Sequence, residues 1–220
     1  MTVKKNAKTY FISGAIMLML FAILTLLIKT VDVKPIGPMR SEIGLSGINA
    51  YFRDLIGVNM AVYDITDILG YAAIAVAGCF ALFGVYQLIK GKSIKAVDLD
   101  IIILGVFFVA VACFYVFFEI VIVNYRPIIM EGELEASYPS SHTMLSIASL
   151  GAAIHQLATR ISNKTLRVFA ISVCSVMMAV IVIGRFISGV HWFTDIIAGA
   201  LLSVSLLLIY IGACKKIAKK

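Results

Sequence analysis

The stretch Gly184 to Asp195, G-R-F-I-S-G-V-H-W-F-T-D, sets an arginine, a histidine and an aspartate inside a chain that is otherwise largely apolar. Charged groups are costly at membrane depth, so ionisable residues kept there are candidates for function. If the helix that follows begins near Gly189, His191 and Asp195 fall at i and i+4 on one face. Asp195 is then placed to hold the imidazole in one tautomer and to stabilise its charged form. Arg185, six residues before His191 and across a glycine-containing bend, offers a planar fork of donors that fits phosphate oxygens. The plain alternative is an Arg–Asp pair at a helix end with a histidine beside it by chance.

Two more blocks carry related residue types: Arg126-Pro127, and Tyr138-Pro139-Ser140-Ser141-His142. Serines ahead of an apolar run leave free N–H groups at a helix N-terminus, where the helix dipole favours an anion. Ser140 can add a hydroxyl donor, and Arg126 with Arg185 completes a cradle for phosphate. Two histidines suit two tasks, attack on phosphorus and protonation of the departing oxygen. Ser140-Ser141 also reads as a plain N-cap. The other polar residues have structural readings. His155 lies thirteen residues past His142, roughly 20 Å along a helix, and reads as a core or inner-face histidine. Glu131, Glu133 and Glu135 read as a solvated acidic loop more readily than as a divalent-cation site. Asp64 and Asp67 read as helix-start acids.

What positions these groups is a set of membrane helices. Of 220 residues 61% are hydrophobic and 14% charged, and the mean hydropathy is +1.02. A soluble domain of this length cannot hide so much apolar surface, whereas membrane spans present it to lipid. The apolar runs give six spans: 10–28, 65–89, 101–123, 142–158, 168–186 and 192–213. Between the first two, Ile48, Tyr51, Phe52, Leu55 and Ile56 recur at helical spacing opposite Arg53 and Asp54. That pattern predicts a short amphipathic helix on the outer membrane surface, or one packed over the bundle's outer end. The expected fold class is therefore an all-α integral membrane bundle of six transmembrane helices, forming one domain over 1–220. Thirteen of the 19 Lys and Arg cluster at the two termini and in the 90–95 and 160–167 turns; the other six are Lys29, Lys34, Arg40, Arg53, Arg126 and Arg185. The positive-inside rule puts the lysine-rich side, with both termini, in the cytoplasm and the candidate site on the external face of the cell membrane. This clustering next to apolar runs also argues against nucleic acid as the partner of the +7 net charge. Cys79, Cys113, Cys174 and Cys214 lie singly within apolar runs and read as small buried hydrophobes.

Arg126-Pro127, Pro139-Ser140-Ser141-His142 and Arg185-x5-His191-x3-Asp195 resemble the three signature motifs of the type 2 phosphatidic acid phosphatases. The motif blocks cover 119–127, 138–142 and 184–195, and the six-span layout extends the likeness over nearly the whole chain. The resemblance implies that His191 is the nucleophile that becomes phosphohistidine, Asp195 its orienting partner and His142 the general acid. Arg126, Arg185, Ser140 and Ser141 would bind phosphate, with no metal ion or other cofactor, and the substrate would be a membrane lipid phosphate. An isoprenyl (undecaprenyl) pyrophosphate phosphatase of cell-wall lipid recycling is an alternative of the same class. A non-catalytic relative that binds or moves an anionic lipid is the alternative from another class. The sequence departs from the family pattern at Ser141, in place of glycine, at Gly184, in place of serine, and at Glu119, in place of lysine. Glu119 inverts a charge. Continuing a helix from Glu119 to Arg126 brings the two to nearly the same face, which predicts that they pair and that Glu119 modulates the site.

Overall fold

The computed structural model describes residues 2–218. Among them are seven α-helices: α1 (Thr2–Thr30), α2 (Ser46–Ile56), α3 (Met60–Gly91), α4 (Leu99–Ile120), α5 (Ser141–Arg160), α6 (Lys164–Ile187) and α7 (Phe193–Ile217), with no strand beyond isolated bridges. Of the terminal basic clusters, Lys219 and Lys220 lie outside the described residues, as do the side chains of Lys4 and Lys5. The helix starts are set locally. The Asn59 side chain accepts from the Val62 N–H at 3.1 Å and opens α3, and Asn163 does the same for α6 through Leu166 at 3.0 Å.

Five helices are long and apolar enough to cross a membrane: Ala7–Thr30 within α1, and all of α3, α4, α6 and α7. The chain is thus a multi-pass membrane protein. Sequence periodicity predicts six spans, and the difference is α5. That helix carries His142, three serines, two threonines, His155 and Gln156, and it packs against α3, α6 and α7. Thr143, Met144, Ser146, Ala148, Leu150 and Ala153 on it are all buried. A helix enclosed by other helices needs no apolar face toward lipid, so it can hold polar residues that the others exclude.

Two cores flank α5. One joins α1, α4, α5 and α7 through Phe21, Phe107, Phe118, Tyr138, Met144 and Leu202. The other joins α3, α5 and α6 through Ala73, Leu150, Ala153, Cys174 and Ile181. At one end of the bundle Arg160 of α5 binds Asp98, just ahead of α4, and Asp100 in its first turn at 2.8 Å each, fixing these two helices. At the other end lie the start of α3, the end of α4, the start of α5, the end of α6 and the start of α7. The chain therefore delivers its polar blocks to one layer, as the span layout requires.

Helix α2 lies between α1 and α3, next to the start of α7. Phe52 stacks on Phe193 with ring centroids 4.3 Å apart and meets Phe186 edge-on at 5.5 Å. Asn49 of α2 is buried and bonds Thr194 twice, donating to its hydroxyl at 3.0 Å and accepting from its N–H at 3.2 Å. Tyr51 and Leu55 face outward at 63% and 67% exposure. The helix thus clamps the first turn of α7, which carries Asp195.

Candidate active site

The third motif bends between α6 and α7. Gly189 takes φ +68°, a left-handed conformation that favours glycine, and its Cα lies so close to the Gly57 carbonyl that a Cβ would clash. The Asn59 N–H donates to the Ser188 carbonyl at 2.9 Å and pins the same bend. His191 follows in a bend, and α7 begins only at Phe193. The predicted helical i,i+4 relation between His191 and Asp195 is therefore replaced by another geometry. Asp195 sits in the first turn of α7 and accepts the Trp192 N–H at 3.0 Å, capping its own helix. His191 Nδ1 and Asp195 Oδ2 are 4.0 Å apart, beyond a hydrogen bond. Between them stands Ser137, whose Oγ is 2.6 Å from Asp195 Oδ2 and 3.0 Å from His191 Nδ1. Asn124 adds a donor to Asp195 Oδ1 at 3.1 Å.

The loop from α4 to α5 supplies Ser137. Lys29 of α1 donates to the carbonyls of Ile122 and Val123 at 3.1 and 3.3 Å, satisfying groups just beyond the end of α4. The loop then folds back on itself through an isolated bridge between Tyr125 and Ala136. Tyr138 is buried and anchors it, with its hydroxyl 2.6 Å from Thr25 and its ring stacked on Phe21. Trp192 fastens it to the third motif by donating to the Tyr125 carbonyl at 2.7 Å.

Arg126 is buried on this loop, and its partner is Glu135. The Arg126 N–H donates to the Glu135 carbonyl at 3.0 Å, and Nε lies 2.9 Å from the Glu135 carboxylate. Glu135 is thus an arginine's counter-ion where the sequence suggests only a solvated loop acid. The predicted Glu119–Arg126 pair does not form. Helix α4 ends at Ile120, so the seven residues after Glu119 do not continue the helical phase that the pairing assumes. Glu119 is exposed near Tyr115. It nevertheless lines the same pocket as Arg126.

Asp67 is a further correction. It lies two turns into α3, and its Oδ1 is 2.6 Å from Arg185 Nη2 and 2.9 Å from His142 Nε2. One carboxylate oxygen thus holds the phosphate-binding candidate of α6 and the acid candidate of α5. Arg185 is fully buried, with its guanidinium 4.5 Å from the centre of the Tyr63 ring. Asp64, by contrast, is exposed, and His155 packs edge-on to Tyr210 on α7, away from the site.

Ser140 occupies the N-cap position of α5 without making a side-chain cap bond. Its N–H donates to the Asp195 carbonyl at 3.0 Å, while its buried Oγ has no partner. Arg126 Nη1, Arg185 Nε and Nη1, His142 Nδ1 and His191 Nε2 are likewise buried without a hydrogen-bond partner. An unpartnered buried polar group costs about 1–3 kcal/mol. A cluster of such groups in a native fold calls for an explanation, such as an ordered water, an ion, a ligand or a catalytic role. A pocket of about 360 Å³ opens onto this cluster, lined by Arg126, Ser137, Pro139, Ser141, His142 and His191 and, toward α4, by Tyr115, Phe118 and Glu119. Burial holds the His191 imidazole well below its ordinary value, with the charges of Arg126 and Arg185 acting the same way. The ring is therefore neutral at neutral pH.

Of the sequence candidates, Arg126, Ser141, His142 and His191 line one pocket, and Ser140, Arg185 and Asp195 are buried next to them, Arg185 sharing Asp67 with His142 and Asp195 meeting the Ser140 N–H and Ser137. Ser137, Asp67 and Glu135 join them from outside the recognised blocks. Ser137 is one residue from a block and carries no pattern of its own, and Asp67 is 118 residues from Arg185. A search of curated proteins finds no match. Among solved structures, the fold resembles the crystal structure of the first transmembrane PAP2 type phosphatidylglycerolphosphate phosphatase from Bacillus subtilis, with a TM-score of 0.62, 16% identity and coverage of 93% of this chain and 97% of that one. Residues 121–217, which carry all the motif residues named above except Glu119, match the PAP2 superfamily, and the likeness in fold extends along nearly the whole chain.

Proposed function

We propose that this protein is a metal-independent phosphatase of membrane lipid phosphates, hydrolysing a phosphomonoester or pyrophosphate through a phosphohistidine on His191. The carrying observation is the cluster of buried, unpartnered polar atoms on Arg126, Ser140, His142, Arg185 and His191. Two guanidiniums and a hydroxyl supply donors for several anionic oxygens at once, which is what a phosphate presents. A neutral imidazole with its Nε2 unshared supplies a nucleophile beside them. The PAP2 match and the phosphatase fold support the same reading.

In this mechanism Arg126, Arg185 and Ser140 hold the phosphoryl oxygens, with Ser141 contributing at the start of α5. His191 Nε2 forms a bond to phosphorus as the bond from phosphorus to the lipid oxygen breaks. His142, held at Nε2 by Asp67, gives the departing oxygen a proton. It then takes a proton from the water that cleaves the phosphohistidine. Positive side chains do the work of charge neutralisation, so the reaction calls for no metal ion. Glu119, on the wall of the pocket, modulates which headgroup approaches.

The site lies at the end of the bundle where the apolar helices stop, which suits a substrate whose tails stay in lipid. In this reading α5 is the sixth span, its 20 residues covering about 30 Å, and 1–220 is one domain. Both termini are cytoplasmic, α2 lies on the external surface, and the site opens outside the cell membrane. A cysteine at Glu133 is then labelled by a membrane-impermeant thiol reagent in intact cells, while one at Lys92 is not; the reverse pattern would overturn the orientation.

The activity is tested by phosphate release from detergent micelles of phosphatidic acid, phosphatidylglycerol phosphate and an isoprenyl pyrophosphate, each with and without a chelator. Release from at least one, unchanged by the chelator, is expected. Preference for the pyrophosphate would select the lipid-recycling alternative. Binding of these lipids with no release from any of them would establish the non-catalytic one.

A further inference from the structure

Ser137 stands where a direct carboxylate–imidazole contact would be expected. It is 3% exposed, between two groups that are themselves buried and not directly hydrogen-bonded: His191 Nδ1 and Asp195 Oδ2 are 4.0 Å apart. A serine hydroxyl has one hydrogen and two lone pairs. At 2.6 Å from an acceptor-only carboxylate oxygen that hydrogen is committed to Asp195. The remaining contact, 3.0 Å to His191 Nδ1, therefore has Ser137 as acceptor, and the ring must carry its proton on Nδ1. A neutral imidazole protonated there has its lone pair on Nε2, the ring atom that is buried without a protein partner.

We infer that Ser137 is a positioning residue for catalysis, a hydroxyl relay through which Asp195 selects the nucleophilic tautomer of His191 and steadies the charge that the ring acquires on phosphorylation. The inference rests on the phosphatase reading above and adds a residue to it. When Nε2 bonds to phosphorus and the lipid oxygen leaves with the proton of His142, the imidazole becomes cationic with its Nδ1 proton in place. That proton stays hydrogen-bonded to Ser137 Oγ, and the Ser137 proton stays on Asp195, so no proton crosses the relay. Asp195 is kept aligned for this by Asn124 and the Trp192 N–H. Ser137 is aligned by its own N–H, which donates to the Asn124 carbonyl at 2.9 Å. One short loop thus orients both ends.

The experiment is a double-mutant cycle on the full chain in detergent, with Ser137→Ala, Asp195→Asn and the two combined. Loss of the group that orients a catalytic histidine costs up to about 10⁴-fold in kcat. Ser137→Ala should therefore lower kcat about 100-fold or more with KM within roughly threefold. Because Asp195 acts through Ser137, adding Asp195→Asn should cost little more. Losses that multiply across the cycle, or a Ser137→Ala rate near that of the parent, would overturn the relay. Ser137→Cys, close in size with a weaker donor, carries the same cycle if the alanine variant does not fold. A second readout is independent of turnover. ¹⁵N spectra of histidine-labelled protein should show His191 protonated at Nδ1 in the parent and a mixture of tautomers in Ser137→Ala. An Nε2-protonated His191 in the parent would refute the relay even if the protein releases phosphate. An Nδ1-protonated ring in a protein that releases none would sustain the relay and overturn the phosphatase reading.

Discussion

His191→Ala should abolish phosphate release while the variant remains folded, because it removes the atom that bonds to phosphorus. Loss of a nucleophile from a site that works as a unit costs on the order of 10³-fold or more in kcat. Any residual rate should still depend on Arg126 and Arg185, since charge stabilisation and binding survive the loss of a nucleophile. Comparable release from variant and parent would remove His191 from the mechanism. The pH dependence carries the same assignment. Burial and two nearby arginines displace protonation of the ring well below 6.5. As the pH falls through 6.5 the folded protein therefore keeps His191 neutral and nucleophilic. The rate of phosphoenzyme formation should not fall as the pH drops through 6.5, and should decline only at lower pH. A decline centred near 6.5 that disappears with pyrophosphate or aryl phosphate substrates would belong to the substrate and leave the assignment untouched; one that persists with all of them would contradict it.

The second large effect belongs to His142. Removing a general acid typically costs about 10²–10⁴-fold, and the loss should depend on the leaving group. His142→Ala should slow release of a lipid alkoxide by that range, yet leave the first turnover of p-nitrophenyl phosphate much less affected, because nitrophenolate departs without a proton. A burst of nitrophenolate followed by slow turnover is the expected trace, the slow phase reflecting water attack without its base. Equal losses on both substrates would reduce His142 to a structural role. Asp67→Asn is the companion variant. It leaves Arg185 Nη2 and His142 Nε2 without their shared counter-ion and should raise KM as well as lower kcat.

Much of this was legible before the fold was known, and the parts that were not share one cause. The motif residues are readable because apolar spans make every buried ion conspicuous, and counting spans brings their ends to one layer. Helical phase, by contrast, was extended past the helices. Glu119 and Arg126 are in phase only if α4 continues to Arg126, and it stops at Ile120. His191 and Asp195 are in phase only if α7 begins before His191, and it begins at Phe193. Each failure has the same remedy in the structure, a residue from the α4–α5 loop that takes the position. Glu135 pairs with Arg126, and Ser137 stands between His191 and Asp195. Asp67 was hidden differently. It sits near the beginning of a long apolar helix, where an acid has an ordinary reason to be, and only packing of α3 against α5 and α6 shows its two partners. The apolar run over 142–158 predicts a span, and the polar residues within α5, which set it apart from the other five, mark it as the enclosed helix that carries the acid.

The account stands or falls on a covalent bond between His191 and phosphorus. Parent protein mixed with a ³²P-labelled lipid phosphate and quenched in alkaline detergent should carry label that is stable to base, released by acid and located by peptide mapping to His191. His142→Ala should retain it longer, and His191→Ala should carry none. Label on another residue, or turnover by the parent with no labelled protein at any quench time, would contradict the account.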